Sequence, residues 1–256
     1  MSSFSIAIYT HSDFFDILPI QIDYFLKHSF QGSKVYLFSD KPYASPFENI
    51  LYDDTLPYAS RLLHCIAKVS SSHILILHEN DALILYDGSV MNTLIEKMTE
   101  HGIDSLEMKH GSNSSDPITV NEDISIGKKW EYFFCVQPTI WNRERLSALL
   151  DKFRDKSYRL IEQDDVQTYV RETYRTYITV HRNPLKSIWY RVPPYFCFLH
   201  LTSRLLLLPC SPANRLDPIV QGHHEQIFDR YLRDSKRKTQ PTLYSFLSHA
   251  VKDHTW

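Results

Sequence analysis

A chain of 256 residues, 43% hydrophobic and 23% charged, has the makeup of a folded globular protein able to bury a sizeable core, which excludes a disordered chain. Its formal net charge of −2 lacks the basic surplus of an obligate nucleic-acid binder. No apolar run approaches the roughly 18 residues of a membrane span.

The four cysteines, Cys65, Cys135, Cys197 and Cys210, show no C-x-x-C spacing, and a chain of this size needs no disulfide staples, so unbridged thiols in a reducing compartment are expected. The start, Met1-Ser-Ser-Phe-Ser-Ile-Ala-Ile-Tyr9, lacks a basic n-region and runs straight into a strand pattern. No signal peptide is read there, and the expected location is the cytoplasm.

Phe4 to Tyr9 is a β-branched and aromatic run that ends in Thr10-His11-Ser12-Asp13, the pattern of a strand and its exit loop. Phe14, Phe15, Ile17, Leu18, Ile22, Phe25 and Leu26 then recur at helical spacing, with Asp13 or Asp16 as cap and Pro19 early enough to be tolerated. Lys34 to Ser39 reads as a second strand turned away by Asp40-Lys41-Pro42, and Asn49 to Tyr52 as a third closed by Asp53-Asp54. Tyr58 to Val69 is a helix with Leu62, Leu63, Ile66 and Val69 on one face, followed by the apolar run Ile74 to Leu77. Strand, helix, strand, strand, helix, strand is the order of a mostly parallel sheet with helices on both faces. Such sheets bind ligands beyond the carboxyl ends of their strands, where Thr10 to Asp13, Ser39-Asp40 and His78 to Asp81 would gather.

The end of the fourth strand is the feature that asks for a reason. Apolar residues stop abruptly at His78-Glu79-Asn80-Asp81 and resume in Ala82 to Leu85. Ionised carboxylates cost several kcal/mol to desolvate unless paired or metal-bound, so Glu79 and Asp81 are expected at a strand end opening onto a cleft, as an acid-x-acid metal or nucleotide-sugar site. A polar turn between two strands is the alternative.

After Gly88 the pattern predicts a helix from Val90 to His101 and a short strand around Ser105 to Met108. Gly111 to Lys129 is polar and without clear period; its length suits an active-site loop or a plain surface excursion. Trp130 to Val136 is aromatic and β-rich, and Gln137-Pro138-Thr139-Ile140-Trp141 leads into a helix capped by Asn142 and buried through Leu146, Leu149, Leu150 and Phe153. Ile161-Glu162-Gln163-Asp164-Asp165-Val166 opens a further helix to about Thr173, its acids placed to favour the helix dipole. Ile178 to His181, Tyr195 to His200 and Leu205 to Leu208 read as shorter, less regular extended segments, and Gln226 to Leu232 as a last helix after a Gly222-His223-His224 loop. Arg233 to Thr239, with five of its seven positions charged, is read as a solvated tail or a peripheral contact with an acidic membrane surface.

With these elements in place, the chain from about Phe4 to Arg171 resembles the nucleotide-sugar-dependent glycosyltransferases of GT-A type, in particular the small transferases of large algal viruses and bacterial polysaccharide clusters. The resemblance rests on Ile74 to Asp81, on Gln137-Pro138-Thr139-Ile140-Trp141, and on the acids Glu162 to Asp165. Glu79 departs from the Asp-x-Asp usual in that family. The resemblance implies a single GT-A (Rossmann-like) α/β domain, with residues 1–110 holding the donor, 111–232 on the acceptor side, and 233–256 as a tail. It implies sugar transfer, inverting in our reading, from a UDP- or GDP-sugar to a hydroxyl of a glycan or glycoprotein acceptor. It further implies Mn²⁺ or Mg²⁺ held by Asp81 and Glu79 with a histidine, His223 ahead of His224 or His200. Thr10, His11, Asp13, Asp40, Glu79 and Asp81 then hold the donor, and Asp164, Glu162 or Asp165 supplies the base. Trp141 and Trp130 are candidates for sugar stacking, with burial in the core as the alternative. The competing readings are a non-catalytic nucleotide-sugar-binding relative and a nucleotidyltransferase. The latter would want a Gly-rich, basic loop where Thr10-His11-Ser12-Asp13-Phe14 stands.

Overall fold

A computed structural model describes residues 4–15, 18–27, 33–78, 88–108, 116–129, 133–136 and 138–181. All of them belong to the compact unit Met1–Pro193; a second unit, Pro194–Trp256, lies outside the described residues. The extended segments predicted at Tyr195 to His200 and Leu205 to Leu208, the helix at Gln226 to Leu232 and the basic run at Arg233 also fall outside them.

The described elements are β1 (Phe4–Tyr9), α1 (Leu18–Lys27), β2 (Lys34–Ser39), β3 (Glu48–Leu51), α2 (Tyr58–Ile66), β4 (His73–His78), α3 (Gly88–Glu100), β5 (Ser105–Glu107), β6 (Ile118–Thr119), β7 (Ile124–Lys128), β8 (Thr139–Asn142), α4 (Arg143–Lys152), α5 (Asp164–Thr173) and β9 (Thr176–His181). The strands form one sheet in the order β3-β2-β1-β4-β8-β5-β9-β7-β6. Pairing makes β3, β2, β1, β4, β5, β9 and β6 point one way and β8 and β7 the other. The architecture is therefore α/β with a mostly parallel central sheet.

Every residue of β1 and β4 is buried, and an alternating strand buried at each position needs cover on both faces. On one face Ala7, Tyr9, Tyr36, Phe38, Ile74, Ile76 and Trp141 pack with Leu62 and Ile66 of α2, Leu146 and Leu150 of α4, and Val166 and Val170 of α5. The opposite parity, Ile6, Ile8, Leu37, Leu75 and Leu77, is equally buried, as are Leu18, Ile22 and Phe25 of α1 and Met91, Leu94, Ile95 and Met98 of α3. Right-handed crossovers put α1 and α2 on opposite faces, since β1–α1–β2 and β3–α2–β4 move in opposite directions along the sheet.

Local chemistry fixes the element ends. The Asn142 side chain accepts from the Arg145 N–H and caps α4 as predicted. Gly102, at φ 57°, ends α3 with the Ile103 N–H on the Met98 carbonyl and the Gly102 N–H on that of Thr99, a Schellman closure that aims the chain into β5.

Three expectations change. Phe14 lies in a tight 3-10 turn over Ser12–Phe14, capped by the His11 side chain and set ahead of α1, and Leu26 on α1 is 59% exposed; Asp16, one of the two caps expected for the helix, lies outside the described residues. The polar stretch read as a loop contains the β6–β7 hairpin. Asn121 Oδ1 accepts from the Asp123 and Ile124 amides to close its turn, and Ile124 and Ile126 alternate into the core. Finally, Thr139–Asn142 is a strand running against β4 before α4 begins, while residues 133–136 of the expected strand are irregular.

Candidate active site

The chain moves outward from β1 to β2 to β3 and then returns to the other side of β1 with β4. In open α/β sheets such a reversal leaves a crevice at the carboxyl ends of the two strands flanking it. Here those ends are Tyr9-Thr10 and His78, which pair side by side as Tyr9 and His78.

At the β1 and β2 exits the polar groups are satisfied by one another. Thr10 is fully buried, its amide donating to the Phe38 carbonyl at 2.9 Å and its carbonyl accepting from the Tyr52 hydroxyl at 2.7 Å. Asp40 accepts from the Ser12 amide at 2.6 Å and the Ser12 hydroxyl at 2.7 Å. Burial pushes the Asp40 carboxyl up, but these bonds outweigh it and hold the group below the usual carboxylate range. The Nδ1 of His11 accepts from the Asp13 amide at 3.1 Å, so the neutral ring carries its proton on Nε2, which lies 3.1 Å from Asp54 Oδ2 and 3.7 Å from Asp40 Oδ2. The Asp13 carboxylate is largely exposed.

Behind this group stands an aromatic layer. Tyr52 stacks on Tyr9 with centroids 5.1 Å apart and planes 4° apart, and the Arg61 guanidinium lies 5.3 Å from the Tyr52 ring while pairing with Asp54. Burial drives the Tyr9 and Tyr52 hydroxyls far above the ordinary tyrosine range, so both stay neutral.

His78 is buried at the end of β4, with Nε2 3.0 Å from the Tyr58 hydroxyl, and Tyr158 meets both rings edge-on. A narrow crevice lined by Tyr58, Ile76, His78, Cys135, Val136 and Thr139 has room for about one water molecule.

The acids at the start of α5 reach the same edge. Because α5 leads into β9, which runs parallel to β5, its N-terminus lies at the carboxyl edge of the parallel strands. Glu162 Oε1 accepts from the Val136 amide at 2.7 Å, and Gln167 clamps Phe134 through its amide and carbonyl at 3.0 and 2.6 Å. Asp165 pairs with Lys156 at 2.7 Å, which lowers its carboxyl, while Asp164 occupies the exposed first turn.

The structure thus brings Thr10, His11, Asp13 and Asp40 into one bonded group and sets Glu162, Asp164 and Asp165 at the same sheet edge, beyond His78. Glu79, Asp81, His223, His200, His224 and Trp130 lie outside the described residues. Among the described residues no group of three or more histidines, cysteines or acids is placed to hold a metal ion. Trp141 is core, 3% exposed, between Phe134 and Tyr174.

Sequence reasoning missed Asp54, Arg61 and the buried pair Glu107 and Lys129, whose side chains are each 6% exposed. Asp54 carried a usable signal as part of a strand exit. Glu107 carried another as an acid between Leu106 and Met108. For Arg61, one polar position on an amphipathic helix, there was none.

No family model matches the chain, and no curated protein matches it. Among solved structures it is similar to a cytidylyltransferase from Leptospira borgpetersenii, at 9% identity and TM-score 0.46 over 92% of this chain and 96% of that one. It is similar to residues 1–349 of TarS from S. aureus, at 12% identity and TM-score 0.41 over 95% and 74%. It is also similar to the bifunctional IspDF from Campylobacter jejuni, at 12% identity and TM-score 0.40 over 69% of this chain, and spans 49% of that protein. No helix among the described residues is long and apolar enough to cross a membrane.

Proposed function

We propose that the chain is a glycosyltransferase that moves a sugar from a nucleotide-diphosphate donor to an acceptor hydroxyl. The observation that supports this best is the placing of Asp40, clamped by Ser12 and faced by His11, at the end of β2 beside the β1 exit that flanks the reversal of strand order. A carboxylate fixed at that point suits the hydroxyls of a ribose, and the adjoining His11 and Thr10 suit the nucleoside around it. Residues 1–110 then hold the donor and 111–232 the acceptor.

In the reaction the acceptor oxygen attacks the anomeric carbon, the bond from that carbon to the diphosphate breaks, and the acceptor proton passes to a carboxylate. Asp164 takes the base role in this reading, since Glu162 and Asp165 are committed to Val136 and Lys156. The α5 N-terminus adds a positive dipole end at the edge where negative charge leaves. Glu79, Asp81 and His223 remain the residues proposed for a divalent cation, which would neutralise the departing diphosphate. Their site lies outside the described residues.

The test is a titration with UDP- and GDP-sugars, with and without Mn²⁺, read by thermal shift and donor hydrolysis. At least one donor is expected to raise the melting temperature, with Asp40→Ala weakening that donor. Asp164→Asn is expected to leave donor affinity near normal and lower turnover by about 10²- to 10⁴-fold. Stabilisation by no nucleotide sugar overturns the proposal. So does formation of a nucleotide sugar and pyrophosphate from a nucleoside triphosphate and a sugar phosphate.

A further inference from the structure

We infer that Cys135 is a reactive thiol for soft electrophiles, set up by the buried Glu107–Lys129 pair. An ion pair removed from water gains little over an apolar filling of the same space. Yet Glu107 and Lys129 place one on the same face of the sheet as the crevice: Glu107 is in register with Thr139, which is in register with Ile76. Lys129 Nζ has donors beyond the one it gives Glu107, and one of them goes to Cys135 Sγ at 3.6 Å. Cys135 is half-buried and lines the crevice beside His78, Val136 and Thr139.

An ammonium held against a sulfur favours the thiolate, which is the nucleophile. Cys65 offers the contrast within the same chain, because burial in the core pushes its thiol up to about 12. In alkylation the Cys135 thiolate, its proton already lost to solvent, bonds to the methylene carbon of iodoacetamide, and iodide leaves with the electrons of the broken C–I bond.

The experiment treats the full-length protein with iodoacetamide between pH 6 and 10 and follows each cysteine peptide by mass spectrometry. Cys135 is expected to react more than tenfold faster than Cys65 at pH 7, with its rate half-maximal below the ordinary thiol value of about 8.5. The double variant Glu107→Gln/Lys129→Met removes the charges together and is expected to slow Cys135 about tenfold at pH 7, a gap that closes by pH 10. Glu107→Gln alone leaves the whole ammonium to the sulfur and is expected to speed the reaction. An ordinary thiol profile in the native protein, or labelling of Cys135 no faster than Cys65, overturns the inference without reference to any variant. Rates in the double variant equal to the native ones overturn it as well. None of these readouts depends on the glycosyltransferase proposal.

Discussion

The two halves of the sheet handle charge in opposite ways. In the all-parallel half, β3-β2-β1-β4, the charged groups Asp40, Asp54 and Arg61 and the polar His11 stand in the exits and on α2, and each is met by a hydrogen bond or counter-charge. In the mixed half, β8-β5-β9-β7-β6, a carboxylate on a strand and an ammonium just after one are folded inside. His11, Asp54 and Arg61 keep partial access to water, so their stability cost is small and they remain available to a ligand, while Asp40 is buried but held by the Ser12 amide and hydroxyl. The interior pair has no such access and stands or falls as a unit. The proposed contacts of Thr10, His11 and Asp40 with the donor therefore belong to the first half, and the mutational sensitivity to the second.

That contrast breaks most visibly at Lys129. Lys129→Met leaves the Glu107 carboxylate buried without its partner and is expected to destabilise the fold by about 3–5 kcal/mol in urea unfolding. The double variant Glu107→Leu/Lys129→Met should recover most of the loss. A single-variant cost below about 1 kcal/mol would mean the pair behaves as a surface contact.

In the parallel half, Asp40→Ala strips the acceptor from the Ser12 amide and hydroxyl and is expected to cost about 1–3 kcal/mol. Its pH dependence has a definite sign. The folded carboxyl sits below the usual range, so its contribution is complete above the unfolded value near pH 3.9 and is lost as pH falls through the folded value. The native protein's advantage over Asp40→Ala is therefore flat from neutrality down to about pH 4 and shrinks only below that. Shrinkage already at pH 6 would show that the advantage does not come from the Asp40 carboxyl.

The same contrast explains what could be read in advance. β1, β2 and α5 follow from local pattern because each is a continuous apolar period with a polar stop, and the strand-exit rule then locates Thr10, His11 and Asp40 together. The mixed half was less legible. β8 is four residues that pair between β4 and β5, strands distant in sequence, and no local period distinguishes it from the entry to α4. The β6–β7 hairpin hides in a polar stretch because only Ile118, Ile124 and Ile126 mark it. The reasoning that singled out Glu79, an acid between apolar runs, applies equally to Glu107, but its partner Lys129 arrives through β-pairing that sequence spacing does not reveal.

The smallest expected effect lies where the halves meet, at Glu162. Glu162→Gln keeps the oxygen that accepts the Val136 amide and loses only a charge on an exposed side chain, so its stability change should stay within about 0.5 kcal/mol. Turnover then separates anchoring from chemistry. If Glu162 only anchors residues 133–136, Glu162→Gln retains activity while Asp164→Asn loses it, and Glu162→Ala, which drops the bond, raises the donor KM with a smaller change in kcat. A turnover loss in Glu162→Gln equal to that of Asp164→Asn would transfer the base role to Glu162. The α5 start would then act as a chemical group in its own right rather than as the clamp on the strand that enters β8.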